Sequence, residues 1–270
     1  MTAAEQGAPG SGPGAPDGSE SGPPLVAVAH GSRDGRSARE VERIFARVRR
    51  LRPGLDVRVA YLDHASPSAE EALTALAAEG AGAAVVLPVL LTAAYHSKVD
   101  LPGVLDRVRA GAPWLQVRYG DPLGPDPLLL DAVEQRLAEA GAVAEPGTAL
   151  VLASAGSGDP AATAVIEGAA RALARRGPWL RVVPAYASAA SPSPGQAVAR
   201  LRAAGAERVA VASYLLAPGF FADRVAGRAL AAGAFAVSPA LGDAPQLARV
   251  ALSRYDAARD RAPLSRIRTG

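Results

Sequence analysis

Short apolar runs alternate with amphipathic stretches along most of this chain. Leu25-Val-Ala-Val-Ala is an apolar run of strand length, and Glu40 to Arg50 then sets Val41, Ile44, Phe45 and Val48 at helical spacing with charges between them. Continued along the chain, the pattern predicts strands near 25–30, 55–62, 83–91 and 114–119. Helices are expected near 37–51, 67–79, 98–110 and 126–140, with Pro67 and Ser68 in the first turn of the second, where a missing N–H costs nothing. A second series follows, with strands near 149–154, 180–186, 208–216 and 234–238 and helices near 160–176, 194–204, 222–232 and 244–258. Strands alternating with helices are the signature of βαβ units and a parallel sheet. The expected fold is therefore α/β, as two tandem, similar, doubly wound parallel-sheet lobes with strand order 2-1-3-4. The lobes should span 24–143 and 148–260, joined at Ala144 to Gly147, with tails at 1–23 and 261–270.

The two series are copies of one another. Residues 25–120 and 149–240 align at an offset of 125 through most of their length. Ala60-Tyr61 falls on Ala185-Tyr186, Ser66-Pro67-Ser68 on Ser191-Pro192-Ser193, and Leu90-Leu91 on Leu215-Leu216. Within these matched frames His30 becomes Ala155, Asp63 becomes Ser188, His64 becomes Ala189 and His96 becomes Phe221. Core packing would be demanded of both copies, so packing does not explain groups kept in only one. The chemistry is expected in the first lobe.

Composition narrows the possibilities. The net charge is only +3, and the arginine-rich balance contains a single lysine, Lys98. No basic run with interleaved aromatics occurs, which argues against nucleic acid as a partner. With no cysteine, thiolate metal sites and cysteine nucleophiles are excluded, and any metal must be held by His and carboxylate. No window approaches the ~20 apolar residues of a membrane span. The first 23 residues, rich in Gly, Pro, Ala and Ser, lack the basic and apolar regions of a secretory signal and have the composition of a disordered tail. A cytoplasmic enzyme is expected.

In a 2-1-3-4 sheet, strand 1 lies between strands 2 and 3, at the topological switch point where such folds bind ligands. His30 ends strand 1, Asp63 and His64 follow strand 2, and His96 follows strand 3, so all open on one sheet edge. Gly31 permits the turn that lifts His30 out of the sheet. Neighbouring strand residues face opposite sides, so one of Asp63 and His64 should face the cleft; Asp63 is favoured, with His64 the alternative. Asp100 is expected to cap the following helix. Arg33, Arg36 and Lys98 border the same loops and would matter for a polyanionic substrate. The Gly31-Ser32-Arg33-Asp34-Gly35 loop matches neither a P-loop nor a dinucleotide fingerprint, and no G-x-S-x-G elbow exists.

Ala29-His30-Gly31-Ser32-Arg33 resembles the strand-end His-Gly-Ser motif of sirohydrochlorin chelatases. Tyr61-Leu62-Asp63 followed by Ser66-Pro67-Ser68 resembles their Phe-Leu-Glu…Pro-Ser segment. Pro88-Val89-Leu90-Leu91, then His96 and Asp100-Leu101-Pro102, resembles their second His loop. Asp63 departs from the usual Glu, with a shorter reach. The resemblance implies insertion of Fe²⁺ or Co²⁺ into sirohydrochlorin without ATP, in sirohaem or cobalamin supply. It also implies a metal as substrate with no permanently bound cofactor. On this resemblance His30, His96 and Asp63 are the catalytic residues, with His64 a further metal ligand, and Ser32, Arg33, Arg36 and Lys98 are the substrate contacts. Small family members dimerise, so this chain resembles a fused dimer with one site discarded and is expected to be a monomer. A chelatase for another tetrapyrrole or metal, or a non-catalytic carrier, is the alternative.

Overall fold

A computed structural model describes residues 22–92 and 100–261. The expected tails therefore lie largely outside the described residues, as do His96 and Lys98 and the side chain of Asp100. The first half runs β1 (Leu25–Ala29), α1 (Gly35–Leu51), β2 (Val57–Tyr61), α2 (Ala69–Ala78), β3 (Ala83–Pro88), α3 (Asp100–Gly111), β4 (Gln116–Tyr119) and α4 (Pro127–Glu139). The second half repeats this as β5 (Thr148–Ser154), α5 (Pro160–Ala174), β6 (Arg181–Tyr186), α6 (Pro194–Ala203), β7 (Arg208–Ser213), α7 (Phe220–Ala231), β8 (Ala236–Val237) and α8 (Pro245–Arg259). Both sheets are parallel, in the orders β2-β1-β3-β4 and β6-β5-β7-β8. The 2-1-3-4 expectation is met twice.

Alternation along the central strands divides the interior into three cores. Leu25, Ala27 and Ala29 of β1, with Leu150 and Leu152 of β5, face a shared core between the sheets. Val26 and Val28 face an outer core under α2 and α3, and Ala149, Val151 and Ala153 face another under α6 and α7. Val41, Ile44, Phe45 and Val48 put the apolar stripe of α1 into the shared core.

The last helix of each half crosses to the other sheet. Helix α4 packs on β7, whereas α8 packs on α1, α4, β3 and β4. Buried Tyr255 of α8 donates its hydroxyl to the Pro23 carbonyl at 2.8 Å. Arg52, the C-cap of α1, holds Asp256 of α8 at 2.5 and 2.9 Å, and the Asp243 N–H donates to the Glu40 carboxylate at 2.9 Å. The shared core and these links fix the two sheets relative to one another. No helix among the described residues is long and apolar enough to cross a membrane.

Two expectations need correction. The third strand of each copy ends early, at Pro88 and Ser213 rather than near 91 and 216. The Val89 and Tyr214 N–H groups close the ladder on Val28 and Ala153 at 2.8 and 2.7 Å. The apolar residues beyond leave the sheet, and their hydrophobicity serves a cleft wall rather than a strand. Pro67 is not in the first turn of its helix either. Ser68 is the N-cap of α2, in a reciprocal capping box with Glu71, and Pro67 stands outside.

Candidate metal-handling cleft

The chain leaves β1 through a turn only glycine can make. Gly31 has φ +93°, and a Cβ there would lie 1.7 Å from the Asp63 carbonyl oxygen. This close approach locks the loop after β1 to the loop after β2, where the Asp63 N–H donates to the His30 carbonyl at 2.9 Å. Ser32 Oγ accepts the Asp34 N–H at 3.1 Å, and Asp34 caps α1 by accepting the Arg36 N–H at 2.9 Å. His30 therefore stands on a turn fixed from both sides. In the second loop His64 adopts a left-handed conformation with φ +61°. The Asp63 carboxylate accepts the His64 N–H at 2.8 Å and lies 3.2 Å from His64 Nε2.

These loops open on a cleft of about 780 Å³ between the two sheets. From the first half, His30, Ser32, Arg33 and His64 line it, backed by Val89, Leu90 and Leu91. His64 is the member of the Asp63–His64 pair that lines the cleft, whereas Asp63 holds it from behind with its side chain 60% exposed. The alternation argument fails here because residues 62–65 are no longer strand. Arg33 is exposed at the cleft. Arg36 does not line it: its guanidinium bridges Asp34 and, across the halves, Asp223 of α7, each at 2.6 Å. Hydrogen bonding from Arg36 holds the Asp34 carboxyl at about 2, well below the usual range.

The opposite wall is the same frame without the histidines. Gly156 has φ +89°, and a Cβ there would lie 1.9 Å from the Ser188 carbonyl oxygen. The Ser188 N–H donates to the Ala155 carbonyl at 2.9 Å, and Ser157 Oγ accepts the Asp159 N–H at 3.0 Å. Ser193 caps α6 in a box with Gln196. Ala189 keeps the left-handed conformation of His64, with φ +56°. The turn role of Ser32 is thus shared by Ser157 and belongs to the frame. In this wall Ala155 holds the frame position that His30 holds in the first half, and Tyr214, Leu215, Leu216, Phe220 and Phe221 complete it. Ser154 Oγ and the Tyr186 hydroxyl, both on cleft residues, are buried without a hydrogen-bond partner. Burial pushes the Tyr186 and Tyr214 phenols up, so both stay neutral and neither serves as a base.

Family comparison finds the same repeat in the sequence. The CbiX family model matches residues 24–140 and again 149–258. The chain belongs to the CbiX family. Among CbiX relatives, the sirohydrochlorin ferrochelatase of Priestia megaterium is 30% identical over 204 residues, covering 74% of this chain and 76% of the relative. The sirohydrochlorin cobaltochelatase of Methanosarcina acetivorans is 28% identical over 123 residues, covering 43% of this chain but 95% of that one. A stretch of this chain about the length of one repeat thus matches nearly the whole of that cobaltochelatase. The solved structure of SirB from Bacillus subtilis with Fe³⁺ superimposes with a TM-score of 0.79 at 24% identity, covering 88% of this chain and 96% of that one, which establishes the shared fold.

Among the described residues, no three His or carboxylate side chains are grouped to hold a metal ion. Of the predicted ligand set, only Asp63 and His64 are paired; His30 lines the same cleft without forming a group of three with them, and His96 lies outside the described residues. The second-half wall, with Tyr214, Phe220 and Phe221, was missed as a set of site residues. Its signal was available in the repeat: Phe221 occupies the frame of His96, and Tyr214 that of Val89.

Proposed function

We propose that this protein is a sirohydrochlorin chelatase, inserting a divalent metal, Fe²⁺ or Co²⁺, into sirohydrochlorin without ATP. The observation that carries this reading is the placement of His30 and His64 on one wall of a two-lobed CbiX cleft. Metallation must strip water from the cation and remove two pyrrole protons. Neutral imidazole near pH 7 does either job, accepting a proton or binding a borderline metal. In this reading His30 and His64 face the macrocycle, and His96, outside the described residues, is the third imidazole of the proposed ligand set. Asp63 adds the negative charge that attracts the dication, and by holding Nε2 of His64 it leaves the other ring nitrogen as the acceptor. Arg33, and Lys98 beyond the described residues, meet the carboxylates of sirohydrochlorin. Arg36 instead fastens the two halves. The metal is substrate, and the chain works as a cytoplasmic monomer whose first lobe, 24–143, carries the site and whose second, 148–260, encloses it. The test is an absorbance assay with purified protein, sirohydrochlorin and each divalent metal in turn. Metal-dependent spectral conversion above the uncatalysed rate is expected, and its absence with both Fe²⁺ and Co²⁺ would overturn the reading.

A further inference from the structure

Two phenylalanines stand at the mouth of the cleft with their rings in the open. Phe220 and Phe221 begin α7 and are 65% and 40% exposed. Of the large apolar side chains left exposed among the described residues, they alone line the cleft. Their rings meet edge to face, with centroids 5.5 Å apart and planes at 67°. The Arg224 guanidinium lies over the Phe220 ring at 5.7 Å. Arg36 holds α7 against the first half through Asp223, and Gly219, at φ +147°, precedes α7 beside Asp34. The aromatic pair is therefore pinned over the cleft rather than free to swing away.

The repeat gives this ridge its meaning. Where the first half carries His96, the second carries Phe221, and where the first carries His30 and Arg33, the second carries Ala155 and Gly158. Leu90 and Leu91 on one wall match Leu215 and Leu216 on the other; beyond that shared apolar lining the first half adds imidazole and guanidinium, and the second adds two exposed rings. A broad, flat, conjugated molecule between such walls would set one face on the apolar side and turn the other to the histidines. Aromatic rings favour offset or edge-on contact with another π face. We propose that Phe220 and Phe221 are substrate-binding residues that hold one face of the tetrapyrrole, so that the metal enters from the opposite face. This rests on the chelatase reading and adds to it the direction of metal delivery.

The test uses the full chain with Phe220→Leu/Phe221→Leu, which keeps apolar bulk, and Phe220→Ala/Phe221→Ala, which removes it. Sirohydrochlorin binding is followed by fluorescence without metal, Co²⁺ binding by calorimetry, and solution mass by light scattering. The Ala pair should weaken sirohydrochlorin binding at least tenfold and raise KM in parallel, the Leu pair should weaken it several-fold, and Co²⁺ affinity should stay within about twofold. Unchanged sirohydrochlorin affinity in both folded variants would overturn the platform. So would a wild-type dimer that both pairs of substitutions dissociate, because the rings would then be covered by a second copy. Wild-type protein that binds sirohydrochlorin but never metallates it would remove the chelatase reading and leave the platform standing. Wild type that does neither would remove both.

Discussion

The turn after β1 and the turn after β5 are nearly the same object. Each has a left-handed glycine pressed against a carbonyl of the neighbouring loop, a serine closing a turn onto an aspartate, and an aspartate capping the next helix. They differ in what stands at the rim: His30 and Arg33 in one, Ala155 and Gly158 in the other. The loops after β2 and β6 repeat the lesson, with His64 and Ala189 in the same left-handed conformation. An alanine held at positive φ is costly on its own, so the neighbouring chain imposes that conformation whatever the residue. The backbone frame and the chemistry it displays are therefore separable, and substitutions in matched pairs can separate them.

The largest effect is expected at His30. His30→Ala should lower the insertion rate by about 100-fold or more, the scale of a lost acid–base or ligand group. The thermal melting point should stay close to that of the wild type, because the frame survives Ala at the matching position 155. Normal turnover in the folded variant would erase the functional difference between the two turns.

The Asp63–His64 pair sharpens the same comparison. His64 faces the cleft and Asp63 supports it, so His64→Ala should slow insertion at least as much as Asp63→Asn, each by about tenfold or more. Asp63→Glu should retain much of the rate. A crippling Asp63→Asn beside a mild His64→Ala would instead make the carboxylate the group that meets the metal.

The glycines test the frame directly. Gly31→Ala and Gly156→Ala should each destabilise the protein by roughly 2 kcal/mol or more in urea unfolding, since both combine a positive φ with a carbonyl in the way. Only Gly31→Ala should also depress insertion in the protein that remains folded. Equal losses of activity would place chemistry on both walls.

The smallest effect belongs to the left-handed pair. Ala189→Gly should stabilise by roughly 0.5 kcal/mol, relief of the left-handed strain being partly offset by the freer unfolded chain. His64→Gly should be about as stable as the wild type yet impaired in insertion. Urea midpoints and initial rates on the same samples check both.

Much of this was legible in the sequence, and the failures share a cause. The 2-1-3-4 order, the strand-end place of His30 and the repeat of one frame in both halves followed from apolar periodicity and the 125-residue offset. Leu90, Leu91, Leu215 and Leu216 misled because an apolar cleft wall and a buried strand have the same hydropathy. Strand alternation could not tell which of Asp63 and His64 lines the cleft, because β2 ends at Tyr61 and His64 stands beyond it in a left-handed loop conformation. The tie from Arg36 to Asp223 was not legible because the two lie 187 residues apart in sequence. The exchange of α4 and α8 between the sheets left no local signal at all, since each helix carries the same kind of apolar stripe whichever sheet it covers.

The separation of frame from chemistry is tested most directly by counting metal sites. Calorimetric titration of the full chain with Co²⁺ should give one site per chain, and the His30→Ala chain should lose it. Two equivalent sites, or a full-strength site surviving in His30→Ala, would contradict the account by placing a working metal site outside the turn that follows β1.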